Sequence, residues 1–471
     1  MASFPSLTIQ KDAFIPQGSF AQAQATYLSP DTQHIEEIDT LLQKHNIGIV
    51  AHYYMDVELQ GILSSCSWPH IRISDSLLMA DTAVEMAEEG VEHIIVLGVD
   101  FMSENVRAVL DYAGYNNIPV YRVDQREIGC SLAQAAEAKA YGAWLHKAKE
   151  SQNPVHVIYI NTSLQVKALS HATVPTITCT SSNVLHTILQ IAHQVPDSTI
   201  WYGPDTYMGA NIEKVLQEMG TMNDQAIQAI HPEYTQERIH DLCSRYEFFK
   251  QGNCIVHHMF GEDVVQTVRE EYADAYHTAH FEVPGEMFTL ATQAQKRGKG
   301  VVGSTANILQ FIAKRVEEAL MSPTAVSIPV VLGTEAGMIT SIVRKVQQQL
   351  KEANRSDIEV EIIFPVASEA FAEDDQFGIV PGVQGGEGCS TAGGCATCPY
   401  MKMNSLDTLH STVELIIQND AILSKYEPKK YTQIINGKSA AELGGEPILF
   451  MRHFQKHGSF PNRLVEQIRN R

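Results

Sequence analysis

The sequence has no long apolar run and no recognisable sorting segment. No stretch approaches the roughly 18 consecutive apolar residues that a membrane-spanning helix needs, so we expect no membrane partner. The first residues, MASFPSLTIQKDAF, lack the basic and apolar regions of a secretory signal and the Arg- and Ser-rich pattern of a transit peptide. We therefore expect a cytoplasmic location, where cysteines stay reduced and disulfides do not form.

Positive charge is also scarce. The 471 residues contain 34 Lys and Arg against 55 Asp and Glu, which gives a formal charge of −21. No block of basic residues interleaved with aromatics occurs, so we expect no nucleic-acid partner. An anionic substrate would have to be attracted by local groups. With 44% hydrophobic residues, a chain of this length can bury the cores of two or three domains.

Paired cysteine motifs are nearly absent. Of the eight cysteines, only Cys395 and Cys398 have the C-x-x-C spacing, whereas a zinc ribbon needs two such pairs. This pair follows a glycine-rich loop near residue 400 and not an early strand, which argues against a thioredoxin-like redox motif. We expect Cys66, Cys179 and Cys243 to be small buried hydrophobic residues.

Short β-branched runs alternate with amphipathic helical stretches along the chain, which predicts an α/β fold with parallel sheets. The alternation repeats in three blocks, each with three strands that end in polar residues, followed by a cysteine. We therefore predict three sequential, related α/β domains, followed by packing helices. The predicted ranges are residues 36–145, 146–265, 266–405 and, for the helices, 406–471.

Polar pairs follow the first predicted strand of each block, and Ser or Thr stands at the start of the next predicted helix. Each hydroxyl could cap its helix, which stabilises it by about 1 kcal/mol, or could join the helix N-terminus in binding an anion. Ligands of open α/β sheets bind beyond the carboxyl ends of strands, so these residues predict an anion site. The pairs are His52/Tyr54, Tyr159/Asn161 and His280/Glu282, and the hydroxyls are Ser76, Ser181, Ser304 and Thr305.

One cysteine stands at the end of each block: Cys130, Cys254 and Cys398. Three thiolates that met at a common centre would leave a fourth metal position open, as catalytic sites do. Thiolate ligands favour zinc or iron–sulfur clusters. Because His and Glu would be near for proton transfer, a four-iron four-sulfur cluster with one open iron is the sharper hypothesis.

The literal motifs of the chain resemble those of the quinolinate synthase family and occur in the family's order. They lie within residues 48–404 and read AHYY, SDSL, GVDFMSENV, IGCSLA, YINTS, VKA, TSSN, GPD, GNCIVHH, VGSTANIL, LGTEAGM and CPYMKMN. The longer spacers, with MGANI, VPGEM and MRHFQ, are similar to the catalytic region of plant-type members.

The resemblance implies a fold of three sequential homologous α/β domains, with parallel sheets arranged around a central active site. It implies an oxygen-sensitive 4Fe-4S cluster on Cys130, Cys254 and Cys398, with Cys395 not a ligand. It also implies condensation of iminoaspartate with dihydroxyacetone phosphate to quinolinate in de novo NAD biosynthesis. Phosphate and two waters are released, and one iron acts as a Lewis acid.

A functional link to an iminoaspartate-producing enzyme would follow. The location would be a plastid if the chain comes from a plant lineage with a separate targeting segment. A homodimer is one candidate for the oligomeric state, which the sequence does not set.

Matching the family's motifs residue by residue also implies a set of site residues. Glu282 with His280 or His52 would serve as acid and base, Tyr54 as a phenol donor, and Tyr159 would complete the catalytic set. The implied substrate-binding residues are His52, Ser76, Tyr159, Asn161, Ser181, His257, His280, Glu282, Ser304 and Thr305. The chain departs from the family where HPEC is expected and HFEV occurs, which leaves His280 and Glu282 in place.

Two functions of other classes stay open at this point. A different iron–sulfur hydro-lyase could use the same open iron, and it would convert a single hydroxy acid without a triose phosphate. A non-catalytic iron or redox sensor would need the cluster but not the polar strand ends, so replacing Glu282 would leave its function intact.

Overall fold

The computed structural model describes residues 4–254, 260–366 and 397–470. The predicted substrate residue His257 and the cysteines Cys389 and Cys395 lie outside these residues. Within the described ranges, no helix combines the length and the apolar character needed to cross a membrane.

Strands and helices alternate through most of the described chain. The strands are β1 Ser6–Ile9, β2 Phe14–Gln17, β3 Ile47–His52, β4 Ile71–Ser74, β5 His93–Leu97, β6 Val120–Tyr121, β7 Pro154–Tyr159, β8 Thr176–Cys179, β9 Thr199–Gly203, β10 Tyr246–Phe248, β11 Tyr276–His280, β12 Gly300–Gly303, β13 Val326–Val331, β14 Ile358–Ile363, β15 Ile434–Ile435 and β16 Lys438–Ser439.

The helices are mostly two to five turns long. They are α1 Ser19–Thr26, α2 Thr32–Lys44, α3 Val57–Leu63, α4 Ser76–Glu88, α5 Asp100–Ala113, α6 Ser131–Glu137, α7 Lys139–Lys149, α8 Leu164–Thr173, α9 Val184–Gln194, α10 Thr206–Met219, α11 Asp224–Ile230, α12 Gln236–Ser244, α13 Glu262–Glu271, α14 Gly285–Lys296, α15 Thr305–Leu320, α16 Ile339–Glu352, α17 Leu406–Gln418, α18 Ala440–His457 and α19 Asn462–Arg469. Short 3-10 helices cover Ala336–Met338, Met401–Met403 and Ala421–Lys425.

Three sheets share one strand order. The first runs β4–β3–β5–β6, the second β8–β7–β9–β10, and the third contains β12–β11–β13–β14. Every pairing among these strands is parallel. The first strand of each group therefore lies between the second and the third. The predicted α/β fold with several parallel sheets is confirmed.

The central strands are short and apolar because parallel sheets are covered on both faces. All six residues of β3, IGIVAH, and all six of β7, PVHVIY, are buried. The candidate site residues His52 and Tyr159 are the last residues of these two strands, and Tyr54 and Asn161 stand two positions further on.

The third sheet is extended by strands that the sequence reading did not predict. β1 pairs antiparallel with β14, with Ser6 opposite Ile363, and β2 pairs antiparallel with β1. These strands have four residues each, and β14, the strand with which β1 pairs, lies more than 300 positions away. A local pattern cannot reveal such a partner.

The described chain divides into two compact units. Unit 1 comprises residues 1–99, 116–128 and 255–427, and unit 2 comprises residues 100–115, 129–254 and 428–471. Unit 1 contains the first and third sheets, and unit 2 contains the second. The predicted domain ranges of the three blocks stay a prediction.

Candidate functional site

The three sheets end their first strands in the same way. The residue that follows the strand donates its backbone N–H to the carbonyl of the last residue of the neighbouring second strand, so the chain leaves each sheet at an equivalent point. These bonds are Tyr53 to Ser74 at 3.1 Å, Ile160 to Cys179 at 2.9 Å and Phe281 to Gly303 at 3.1 Å. Each bond has a polar candidate residue on both sides of its donor: His52 and Tyr54, Tyr159 and Asn161, His280 and Glu282.

Phe281 stands where the family's form HPEC would have proline. A proline has no backbone N–H, so the bond to Gly303 depends on the departure to HFEV. The side chain of Phe281 packs near Phe288, with ring centroids 5.7 Å apart, and Val283 is completely buried. The substituted residues therefore belong to the local core and leave His280 and Glu282 at the strand end.

Two histidines in unit 1 have equivalent hydrogen bonds. The Nδ1 of His52 accepts the backbone N–H of Tyr54 at 3.2 Å, and the Nδ1 of His280 accepts the backbone N–H of Glu282 at 3.3 Å. A ring nitrogen that accepts carries no proton, so these two bonds fit the tautomer with the proton on Nε2.

The electrostatic surroundings keep His52 neutral. Its exposed fraction is 7%, and burial lowers its pKa to about 4, with the charge of Glu282 acting in the opposite direction and His280 adding to the lowering. Glu282 Oε1 lies 3.6 Å from His280 Nδ1. The three side chains are therefore close enough to influence one another's protonation, which acid–base catalysis requires.

Tyr54 links the ends of two sheets within unit 1. Its hydroxyl lies 3.0 Å from Thr305 Oγ1 and 3.2 Å from Thr334 Oγ1. Burial, together with the negative charge of Glu282, raises the pKa of Tyr54 well above its ordinary range. The phenol therefore stays protonated, and its predicted role as a donor stays a prediction.

The helix starts in unit 1 are capped in two different ways. Ser304 is the N-cap of α15 and forms a capping box with Asn307, so Thr305 is the first helical residue. In α4 the cap is Asp75, whose side chain accepts the N–H groups of Leu77 and Leu78, and Ser76 is the first residue of the helix. Asp makes a strong cap because its carboxylate accepts two orphan N–H groups.

The polar strand end of unit 2 contains Tyr159, Asn161 and Ser181. Tyr159 is 4% exposed, and Asn161 is half-buried. Helix α9 begins at Val184, after Asn183, so Ser181 lies in the turn between β8 and that helix and not in its first turn. The side chain of Asn183 accepts the N–H of Thr180 at 2.8 Å and holds this turn.

The three predicted cluster ligands are half-buried thiols. Cys130 precedes α6 and Cys254 follows the last strand of the second sheet, both in unit 2. Cys398 belongs to unit 1, and its backbone N–H donates to Glu335 Oε1 at 3.0 Å. Among residues 4–254, 260–366 and 397–470, no group of three or more His, Cys, Asp or Glu side chains is arranged to hold a metal ion. The ligand assignment therefore stays a prediction.

The other described cysteines behave differently from one another. Cys179 is completely buried, as expected. Cys66 and Cys243 are only half-buried, so the expectation of full burial is wrong for them. Each lies at the end of a helix, Cys66 just beyond α3 and Cys243 in the last turn of α12.

Sequence reading missed the roles of Thr334 and Glu335, which follow β13. Thr334 contacts the Tyr54 hydroxyl, and Glu335 is 1% exposed and accepts the N–H of Gly337 at 2.7 Å in addition to that of Cys398. The signal was present in the motif LGTEAGM, because its polar pair follows a buried strand. A buried carboxylate that fixes the backbone of Cys398, a thiol donor suited to iron–sulfur clusters, fits the predicted cluster.

Comparison with known proteins gives one consistent result. A sequence model of the quinolinate synthetase A protein family matches residues 36–427. Chloroplastic quinolinate synthases of Nicotiana tabacum and Arabidopsis thaliana are 53% and 50% identical over 99% of the chain and 67% of each relative. The quinolinate synthase of Ehrlichia chaffeensis is 26% identical over 80% of the chain and 87% of that relative. The chain thus spans about two thirds of the length of the plant relatives.

Proposed function

Because the chain belongs to the quinolinate synthetase A protein family, an enzyme family, we propose that it condenses iminoaspartate with dihydroxyacetone phosphate. The products are quinolinate, phosphate and two waters, and the reaction belongs to NAD biosynthesis. One observation carries the proposal. The family-motif residues His52, Tyr54, His280 and Glu282 lie at the ends of β3 and β11 or two residues beyond them, within one unit, and the charge of Glu282 acts on His52 and Tyr54.

The chemistry of the reaction calls for these groups. Ring closure and loss of two waters require protons to leave carbon and nitrogen and to reach departing hydroxyls. The carboxylate of Glu282 is the base we propose, and the Nε2–H groups of His52 and His280 are the donors. The Tyr54 phenol, held protonated by burial, is a further donor.

Anionic groups of the substrates need positive or hydrogen-bonding partners in a chain of charge −21. We propose that they are bound by the hydroxyls of Ser76, Ser181, Ser304 and Thr305, by the amide of Asn161, by the phenol of Tyr159 and by His257. Thr305 at the start of α15 supports this assignment for unit 1, because the first turn of a helix has N–H groups without helical partners.

We propose that Cys130, Cys254 and Cys398 hold a 4Fe-4S cluster. When bound, the cluster supplies a Lewis acid at an iron without a protein ligand, which helps a poor hydroxyl leaving group to depart. Such an exposed iron makes the cluster sensitive to oxygen. The bond from the Cys398 N–H to buried Glu335 supports the third ligand, since it fixes the backbone of that thiol.

The plant relatives are named as chloroplastic, which supports the plastid alternative and gives no support to the cytoplasmic expectation. We propose a plastid location for the chain, and a functional link to an enzyme that produces the unstable iminoaspartate.

The test uses the full chain after anaerobic reconstitution with iron and sulfide. Quinolinate is measured with dihydroxyacetone phosphate and enzymatically generated iminoaspartate for the unsubstituted chain, for Cys398→Ser and for Cys243→Ser. The proposal predicts quinolinate and full iron content for the first and third proteins, and loss of both in Cys398→Ser. A chain that holds its cluster but makes no quinolinate would refute the reaction, and an unchanged Cys398→Ser would refute the ligand assignment.

A further inference from the structure

The turn that contains Asn161 is held by several buried polar contacts. We call residues 160–164, between β7 and α8, the Asn161 turn. Thr162 donates its N–H to the Ile160 carbonyl at 2.7 Å and its hydroxyl to the Tyr159 carbonyl at 3.0 Å. Ser163 caps α8 by accepting the N–H of Val166.

A buried lysine donates hydrogen bonds to the backbone of this turn. Lys167 is completely buried, and its ammonium group donates to the Ile160 carbonyl at 3.0 Å and to the Thr162 carbonyl. These two carbonyls flank Asn161 on either side. Burying a charged amine is costly unless it is paired and hydrogen-bonded. A buried lysine at this position therefore needs a structural or functional role that offsets the cost of its desolvation.

The compensating charge is Glu104 of α5. It is 2% exposed, and its Oε2 accepts the backbone N–H of Leu164 at 2.9 Å at the other end of the turn. Burial lowers the pKa of Lys167, and the Glu104 charge opposes that change. Lys167 and Glu104 thus bind the carbonyls and the N–H group of one short segment.

The C-terminal segment completes this arrangement. The family match ends at residue 427, and the sequence predicts only packing helices after residue 405. The Tyr431 hydroxyl nevertheless donates to Glu104 Oε1 at 2.8 Å. Helix α18 also comes very close, because a side-chain carbon added at Gly444 would lie 2.1 Å from the Leu164 carbonyl oxygen. Ala440 and Leu443 of α18 form a core cluster with Ala168 of α8.

We propose that Lys167, Glu104 and Tyr431 are positioning residues that fix the Asn161 amide for substrate binding, so that residues 428–470 take part in setting substrate affinity. The inference rests on the proposed function for the identity of the substrate. None of the three residues needs to touch the substrate, because each acts through the backbone of the Asn161 turn. A loosened turn leaves the amide less well oriented and weakens binding in the ground state and transition state alike.

The test compares Tyr431→Phe with Tyr234→Phe. Both remove a hydroxyl that donates one hydrogen bond, since Tyr431 donates to Glu104 and Tyr234 donates to the Leu189 carbonyl at 2.8 Å, far from the Asn161 turn in sequence. Tyr431→Phe should raise a substrate KM about fivefold with kcat and iron content unchanged, and Tyr234→Phe should leave KM unchanged. In an Asn161→Ala background, Tyr431→Phe should add no further loss, because the group it positions is gone.

An equal rise in KM with and without the Asn161 side chain, or an equal rise in Tyr234→Phe, would overturn the proposal. Hydrogen exchange of the peptide that covers residues 160–164 distinguishes a failure of this positioning network from a failure of the proposed function. If the unsubstituted chain makes no quinolinate, faster exchange at Leu164 in Tyr431→Phe alone still supports the network, and unchanged exchange refutes it.

Discussion

The hydroxyl of Tyr54 lies 3.0 Å from Thr305 Oγ1, although the two residues are 251 positions apart. Tyr54 follows β3 of the first sheet, and Thr305 is the first residue of α15, after the second strand of the third sheet. The polar end of one repeat is thus in contact with the helix start of another. The hydroxyl at this contact stays protonated because burial raises its pKa.

Replacing Tyr54 by Phe should lower kcat at least about tenfold, which is about 1.4 kcal/mol of transition-state stabilisation. The reason is the loss of a protonated donor among His52, His280 and Glu282. Thr334→Val is the matched control, since it removes only one of the two hydroxyl partners of Tyr54 and should have a smaller effect. Steady-state quinolinate formation at equal iron content measures both, and full activity of Tyr54→Phe would exclude a catalytic role.

Glu335 should control how firmly the cluster is held. Glu335→Ala removes the acceptor of the Cys398 N–H, so the iron content after anaerobic purification should fall and cluster absorbance should decay faster in air. Glu335→Gln keeps an oxygen at this position, so its iron content should lie between those of the unsubstituted chain and Glu335→Ala. Iron and sulfide analysis and the decay of cluster absorbance measure cluster retention without any activity assay. Equal retention in all three proteins would show that the bond has no such role.

Much of the site could be predicted from the sequence because its residues follow buried strands. The apolar runs around His52, Tyr159 and His280 mark β3, β7 and β11, and the polar residues that follow them are where parallel strands place ligands. Local rules failed for contacts made over long distances. Nothing in the sequence near Tyr431 indicates that it contacts Glu104. The N-cap of α4 is Asp75 and not its neighbour Ser76, because the Asp75 carboxylate accepts two backbone N–H groups there.

The charges of Glu104 and Lys167 act on each other in a buried setting. Glu104→Gln and Lys167→Met each leave the other group buried without that opposite charge and remove hydrogen bonds to the Asn161 turn, so each should lower the free energy of unfolding by roughly 1–3 kcal/mol. The double variant should lose clearly less than the sum, because no isolated charge remains. Chemical denaturation of the four proteins gives the coupling energy. Additive losses would mean that the two groups do not interact.

His156 should make the chain sensitive to acid. Its ring is buried and neutral, with Nδ1 donating to the Trp201 carbonyl and Nε2 near the Tyr141 hydroxyl, and burial lowers its pKa from 6.5 to about 4. Between these values the unfolded chain binds the proton and the folded chain does not. The stabilisation from this site is complete above pH 6.5 and falls by roughly 3 kcal/mol by pH 4.

His156→Gln should therefore be less stable at neutral pH but lose less stability on acidification. Denaturation of the cluster-free chain between pH 7 and pH 4 measures how steeply the free energy of unfolding falls with pH. An equal fall in His156→Gln and in the unsubstituted chain would contradict the assignment of this pH dependence to His156.

The most direct test of the proposed function is isotope tracing with the reconstituted chain. Dihydroxyacetone phosphate labelled with ¹³C at every carbon is supplied with ¹⁵N-labelled iminoaspartate, and products are read by mass spectrometry alongside phosphate release. The account predicts quinolinate that contains all of the triose carbons and the labelled nitrogen, with one phosphate released per product, and none from Glu282→Gln. Unlabelled product, or no quinolinate from a chain with its full cluster, would contradict it.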